Sequence, residues 1–317
     1  MTKSVPSGGA LRILPRILLL ALLAAQFLAP ASAPAMVLGA DDRNQAAAFL
    51  SPAEEDRFQG LGRIECLQPG SRGLSFHATG WVVGSVDTVM TAAHVFFEQG
   101  WRGDRSIERD PANCIFVLFN RDQSIREIAN IRYAVSPWAD RRMRGDSARD
   151  YAVLKLAKPV RVSKIPAVSV NAAIRPDVQL VAFQTGVIDN QRARITRGEA
   201  RRFPVLDAHY ELEGMHISNS ARLFSTSANS SPGSSGGLYY DRRSGAVLGL
   251  HLGSMCDPEA LNPSYDPDHC FNYGLRFGRD AGIAIDAVAR DAAPRSLMIR
   301  SNQAAPATAA IVLALAS

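Results

Sequence analysis

Three short stretches carry side chains whose types and spacing suit nucleophilic chemistry. Ser231-Pro232-Gly233-Ser234-Ser235-Gly236-Gly237 sets two glycines after a serine and a third two residues before it. On a tight Gly-rich turn a serine can project its hydroxyl while nearby backbone N–H groups point at one spot. Such a turn supplies a nucleophile and an oxyanion site together. Taken alone, a Gly/Ser cluster is most often a plain loop. Thr91-Ala92-Ala93-His94 closes an apolar run, Trp81-Val82-Val83 to Val89-Met90, that reads as a β-hairpin. Asp150 stands at the mouth of an alternating strand, Tyr151-Ala152-Val153-Leu154-Lys155-Leu156. A lone histidine after a strand is ordinarily a packed or surface residue, and a lone strand-end aspartate a turn residue. The signal lies in the order His, Asp, Ser with these local contexts, because acyl transfer by serine needs a base and a group that orients it.

These stretches resemble the signatures of the chymotrypsin-like (trypsin-fold) serine proteases: a T-A-A-H histidine, a D-(I/Y)-A-(L/V)-L-K-L aspartate and a G-x-S-G-G serine. The resemblance runs from about residue 37 to residue 293. It implies Ser235 as nucleophile, His94 as general base and then acid, and Asp150 as the partner that holds the imidazole tautomer. The backbone N–H groups of Gly233 and Ser235 would form the oxyanion hole. The implied fold is all-β, two packed six-stranded antiparallel β-barrels with a C-terminal helix.

Two departures are informative. Trypsin-type zymogens carry aspartate just before the nucleophile, to pair with a freshly cut N-terminus, and this chain has Ser234 there. Val95 replaces the cysteine that follows the histidine in vertebrate trypsins. Both match the bacterial branch. Val37-Leu38-Gly39-Ala40-Asp41-Asp42-Arg43 resembles the mature start of the glutamyl endopeptidases, which raises the prospect of processing that removes Met36. A polar leader is the plainer alternative.

Substrate selection is expected from residues ahead of Ser235 and from the strand 247–254. Asn229 stands where trypsins carry an acid for Arg or Lys, which argues against a basic P1 residue. Leu250-His251-Leu252-Gly253-Ser254 resembles the G-I-H-x-G strand of glutamyl endopeptidases, whose histidine binds an acidic P1 side chain. His251 is thus expected to favour its charged form beside a carboxylate, with Ser230 and Ser254 supplying hydroxyls; the alternative is a half-buried strand histidine without substrate contact. The function so read is an exported serine endopeptidase with acidic (Glu) P1 preference. The competing readings are a broad-specificity endopeptidase with small or apolar P1, and a protease fold serving as an inactive binding module.

Composition bounds the remainder. The chain has 317 residues, is 47% hydrophobic and 21% charged, and carries a formal net charge of +5, which fits an ordinary globular protein with a sizeable core. No Lys/Arg block is interleaved with aromatics, so nucleic acid is not an expected partner. The expected partners are protein or peptide substrates, with the protein a monomer. No cofactor is expected, and no His/Cys spacing suggests a metal.

Residues 1–35 read as a signal peptide. Arg12 and Arg16 precede the apolar run 17–25, and Ala33 and Ala35 satisfy a small-x-small cleavage rule. The run is short for a membrane span, so no stable membrane insertion is expected after cleavage, and the protein is expected in a periplasm or outside the cell. Four cysteines agree with an oxidising compartment. Four thiols allow three pairings, which sequence does not select. We favour Cys66–Cys114 and Cys256–Cys270, the second closing a loop of about 15 residues worth roughly 3 kcal/mol. Two buried free thiols at Cys66 and Cys114 are the alternative.

These motifs need rigid elements to hold them, and the chain offers many short strands with turn signals between them. The organisation read from sequence is a signal peptide at 1–35, a leader at 36–60 with a helical-looking stretch at 44–50, and a first barrel at 61–160 bearing His94 and Asp150. A second barrel bearing Ser235 follows at 161–293 and ends in an amphipathic helix over 280–290, with Ala281, Ile285 and Val288 on one face. An Ala-rich tail occupies 294–317. The Arg/Asp-dense segment 140–150 reads as a solvated loop, 209–213 as a strand, and His77, His209, His216 and His269 carry no motif.

Overall fold

The computed structural model describes residues 36–67, 74–98, 107–204, 216–256 and 263–299. The described residues belong to one compact unit. Two closed antiparallel barrels account for most of it. In the first, β1 (Leu61–Leu67), β2 (Leu74–Val82) and β3 (Thr88–Thr91) follow one another in chain order. A two-stranded ribbon, β4 (Phe97–Glu98) and β5 (Ile107–Glu108), projects before β6 (Cys114–Phe119), β7 (Ile125–Val135) and β8 (Ala152–Leu156) complete it. The spatial order is β7-β6-β1-β2-β3-β8, and pairing of β7 with β8 closes six strands into a barrel.

The second barrel repeats the plan. β9 (Ala167–Val168) is a short outrigger, followed by β10 (Asp177–Ala182), β11 (Arg194–Arg202), β12 (Leu223–Thr226), β13 (Leu238–Asp241), β14 (Ala246–Met255) and β15 (Phe271–Arg276). The order β13-β10-β11-β12-β15-β14 closes through β13 and β14, with β9 parallel on the β14 edge. Closure leaves no unpaired barrel edge.

The near-continuous apolar run of β6 has a simple cause: both of its faces are covered. Cys114, Phe116 and Leu118 enter the main core, whereas Ile115 and Val117 pack with Leu67 and Ile128 on the other face. β10 divides in the same way, since Val178, Leu180 and Ala182 meet Phe224 and Tyr239 while Val181 joins the main core. That core passes between the barrels. Trp81 of β2 meets Phe277 at 6.1 Å between ring centroids, and Phe119 of β6 meets Phe183 at 5.6 Å.

Both expected disulfides are present, and the alternative of free thiols at Cys66 and Cys114 is thereby excluded. Cys66 and Cys114 are register partners on β1 and β6, so their bond clamps neighbouring strands. Cys256–Cys270 ties the end of β14 to the start of β15.

Several boundaries differ from the sequence reading. The stretch 44–50 forms only a single turn at Ala46–Ala48, and the leader helix, α1 (Pro52–Arg57), begins later. Ser51 and Glu54 cap it reciprocally and Pro52 starts it, while Phe49 bridges to Arg194 of β11. The segment 140–150 is solvated only in part. Arg141 and Arg142 are exposed, but Asp146 is 2% exposed. Its carboxylate accepts from Ala148 N, Ser218 N, Ser218 Oγ and Arg149 Nε, which braces the first barrel against residues next to β12. The strand expected at 209–213 lies outside the described residues, as does His209.

The closing helix is α2 (Arg279–Ala289), and Ala281, Ile285 and Val288 are buried as the spacing required. It packs on β3 and β8, so it covers the first barrel although it follows the second in sequence. The chain then adds β16 (Met298–Ile299) to β7, which moves 298–299 out of the expected tail and onto the first barrel. Gly84, at φ +68°, lies under Ile285; a Cβ there would sit 2.8 Å from Ile285 Cγ2. Replacing Ile285 with Ala should therefore open a cavity beneath α2 and cost about 2–5 kcal/mol. Urea unfolding with the disulfides intact measures this, and an unchanged midpoint would contradict the packing described.

Candidate active site

Register explains why His94 and Asp150 meet. Thr91, the last residue of β3, pairs with Ala152, the first of β8. The chain beyond Thr91 turns through Ala93–Val95, and the chain before Ala152 turns through Ser147–Arg149. His94 and Asp150 therefore sit at the same end of the first barrel. His94 N donates to Asp150 Oδ1 at 3.0 Å, and His94 Nδ1 lies 2.7 Å from Asp150 Oδ2. The carboxylate is 4% exposed and its two oxygens face one histidine. A carboxylate can only accept, so Nδ1 carries the proton and Nε2 keeps its lone pair.

The serine turn reaches this end from the other barrel. Gly233 at φ +95° and Gly236 at φ +78° occupy the left-handed region that glycine adopts without strain. Gly236 has a second constraint, since a Cβ there would overlap Thr91 Oγ1, the Thr79 carbonyl oxygen and Ala92 N. The turn thus lies directly against the two residues that lead to His94. Thr79 of β2 is the joint. Its N–H donates to Ser235 O at 2.9 Å, its hydroxyl donates to Gly233 O at 2.9 Å, and its carbonyl accepts from Thr91 Oγ1 at 2.8 Å.

Within the turn, the N–H groups of Ser231, Ser234, Gly236 and Gly237 all have acceptors. Among the described residues, those of Gly233 and Ser235 have none in the protein. Two uncommitted backbone donors flanking a half-buried serine are what an oxyanion site requires. Ser234, fully buried, accepts from Ser231 N through its hydroxyl, so it fastens the turn where a zymogen aspartate would stand.

The expected pocket residues divide. The Asn229 amide is engaged by the leader: its Oδ1 accepts from Leu38 N at 2.7 Å, and its Nδ2 donates to Ala40 O and Asp42 Oδ1. An amide so engaged fastens the leader to the second barrel. Ser230 is buried, its hydroxyl donating to Asn272 Oδ1 at 2.8 Å and its N–H to Met36 O. Asn272 in turn exchanges hydrogen bonds with Met36, and it pairs with Ser254 across β14 and β15. Ser230, Ser254, Asn272 and the start of the leader therefore form one cluster.

His251 lies where the serine turn meets β14. Gly236 N donates to its carbonyl and its own N–H donates to Gly237 O at 2.7 Å. The ring is fully buried, with Nδ1 2.9 Å from the Tyr239 hydroxyl and Nε2 without a partner among the described residues. Burial pushes its pKa down to about 3, and the nearby His94 ring adds to the shift. The free protein therefore holds the ring neutral; the charged form expected from sequence is one formed beside a bound carboxylate. His216 and His269 are exposed.

Thr79, Tyr239 and Asn272 were not singled out by sequence reasoning. Thr79 and Asn272 are ordinary polar residues inside strands, a pattern shared with many structural positions. Tyr239 follows Gly237 and Leu238, and its strand carries little alternation of its own.

Residues 78–250, just over half of the chain, match the profile of the Trypsin-like peptidase domain, and the chain belongs to that family. It is accordingly a serine protease hydrolase in fold and family. Among solved structures, it resembles a thermostable serine protease, AL20, from an extremophilic microorganism, with TM-score 0.52 and 16% identity over 74% of this chain and 99% of that one. The protease Anisep from Arthrobacter nicotinovorans aligns with TM-score 0.52 and 16% identity, over 74% of this chain and 98% of its own. A Glu endopeptidase solved with MPD aligns with TM-score 0.53 and 13% identity, over 80% and 99%. At these identities the fold is what is shared. No curated protein sequence matches the chain.

The buried imidazole gives a pH signature with a definite sign. The unfolded chain binds a proton at His251 near pH 6.5, which the folded protein refuses down to about pH 3. Stability from the neutral ring is therefore complete above pH 6.5 and is lost as pH falls toward 3, with a slope approaching about 1.4 kcal/mol per pH unit. His251→Leu should flatten that part of the stability curve measured by urea unfolding, and a curve parallel to the native one would contradict the assignment.

Proposed function

We propose that this chain is an exported serine endopeptidase in which Ser235, His94 and Asp150 act as a catalytic triad. The observation that carries the reading is the His94–Asp150 pair at 2.7 Å beside a serine turn with two uncommitted N–H groups. In the reaction, Ser235 Oγ attacks the scissile carbonyl as His94 Nε2 takes its proton. The N–H groups of Gly233 and Ser235 receive the oxyanion, a contribution for which one donor is worth roughly 3 kcal/mol. His94 returns the proton to the leaving amine, and the acyl-enzyme is released by water along the reverse of the same path. Asp150 holds the tautomer throughout and stabilises the transient imidazolium.

For P1 we favour an acidic side chain. His251 Nε2 is a buried polar atom that lacks a partner, and a carboxylate would give it one while restoring its charged form. The Met36 nitrogen lies 3.3 Å from Asn272 Oδ1, in the cluster with Ser230. Cleavage after Ala35 would make it an ammonium and add a cation to the same cluster. A small or apolar P1 residue is the second reading, favoured by the complete burial and neutrality of His251 in the free protein. Export is supported by two disulfides, which fit an extracellular protein. Among the described residues, no helix is long and apolar enough to cross a membrane.

The test is kcat/KM on matched peptides differing only at P1, for the native protein, Ser235→Ala and His251→Ala. Ser235→Ala should lose at least about 10⁴-fold on every substrate. His251→Ala should lose at least tenfold more on Glu than on Leu peptides. Native cleavage after Leu or Arg that matches cleavage after Glu would overturn the acidic preference. Unchanged turnover in Ser235→Ala would overturn the triad.

A further inference from the structure

Apart from the serine turn, the molecule has a second concave site at the junction of the barrels and the leader. It is a cleft of about 280 Å³. Its apolar lining comes from Phe58, Leu61, Phe119 and Phe183, so both barrels and the leader contribute. Charged side chains also line it, and most are already paired. Glu55 forms ion pairs with Arg121 and Arg192, and Asp56 pairs with Lys164.

Arg126, at the start of β7, is the exception. Among the described residues, no carboxylate lies within ion-pair distance of it. One Nη donates to the carbonyl of Gln59, and Nε is buried without an acceptor. A partly buried guanidinium with an unsatisfied N–H is costly to leave unpaired and gains from a carboxylate that can reach it. Glu127, its neighbour in sequence, acts on Arg126 only through space and is itself bonded to Arg161. The cleft therefore offers an apolar floor and one cation with no carboxylate bonded directly to it.

Its position gives this a use. Phe183, in the cleft wall, donates its N–H to Thr79 Oγ1 at 2.9 Å, and Thr79 bonds the carbonyls of Gly233 and Ser235. Only one residue stands between the wall of the cleft and the backbone of the serine turn. Thr79 and Phe183 are buried, so the link runs through the interior and ties the wall of the cleft to the serine turn.

We propose that the cleft walled by Phe119, Phe183 and Arg126 is a second recognition site for the polypeptide substrate, taking a carboxylate side chain flanked by an aromatic or bulky aliphatic one. The name substrate rests on the peptidase reading; the site itself rests on shape and charge alone. An acidic–aromatic pair satisfies both halves of the cleft. The aromatic ring covers the phenylalanines, and the carboxylate gives Arg126 a directly bonded partner.

The test uses the full chain carrying Ser235→Ala and reads binding rather than turnover. The probes are acetylated, amidated Gly-Phe-Asp-Phe-Gly and its neutral Asn counterpart, measured by titration calorimetry. The acidic peptide should bind at least fivefold more tightly, and Arg126→Gln should abolish that difference. Arg126→Glu should reverse the preference, so that Gly-Phe-Lys-Phe-Gly becomes the tighter ligand. A photo-crosslinking version of the acidic peptide should label segments containing Phe119 and Phe183 in the protein with Arg126 unchanged, which needs no folded Arg126 variant. Equal binding of the acidic and neutral peptides, an undiminished preference in Arg126→Gln, or crosslinks confined to the serine turn would overturn the proposal. Because no arm depends on hydrolysis, an inactive native protein would refute the peptidase reading without touching this one.

Discussion

The contact between Thr79 and the serine turn is the constraint on which the rest of the molecule depends. One barrel carries His94 and Asp150, the other carries Ser235, and a covalent chain alone would leave their relative placement loose. Thr79 removes that freedom by engaging Gly233 and Ser235 on one side and Thr91 on the other. Gly236 then presses on Thr91 and Ala92 with no space for a side chain. Two charge-free hydrogen bonds and one missing Cβ fix the serine turn against the strands that lead to His94. Because these groups are buried, each bond left unmade would cost about 1–3 kcal/mol, so the seam resists partial opening.

The second barrel is organised differently, around its asparagines. Asn229 holds Leu38, Ala40 and Asp42, and Asn272 holds Met36 while also bonding Ala228 and Ser230. Side-chain amides can donate and accept together, so they satisfy an irregular backbone without adding charge. The result is that the leader, which in sequence precedes the first barrel, is built into the end of the second. From there α1 returns it across the junction, where Phe58 meets Tyr240 edge-to-face at 5.1 Å. The closing helix makes the opposite crossing and ends against the first barrel.

How much of this was legible in sequence follows from the range of each interaction. The His94, Asp150 and Ser235 motifs are local, a few residues that define their own turns, and the barrel strands and closing helix follow from periodicity and turn residues. The cysteine partners on β1 and β6 came out as favoured. What sequence could not supply were polar contacts between distant segments. The spacing of Asn229 from Ser235 is local, whereas its amide partners Leu38 and Ala40 lie 191 and 189 residues away. The alternative for His251 was a half-buried strand residue, whereas its complete burial is a property of the packed barrel and not of a strand pattern. Asp146 was assigned to a solvated loop from composition, while its acceptor role toward Ser218 appears only once both barrels are assembled.

The central claim is that the seam brings Ser235 under the control of His94. The direct measurement is the rate of phosphonylation of the folded protein by a small fluorophosphonate, with the modified residue located by mass spectrometry, in native protein and in His94→Ala. The account predicts a single adduct on Ser235, forming at a rate that rises as His94 loses its proton and that collapses in His94→Ala. An adduct on another serine, or a Ser235 adduct formed equally fast without His94, would contradict it.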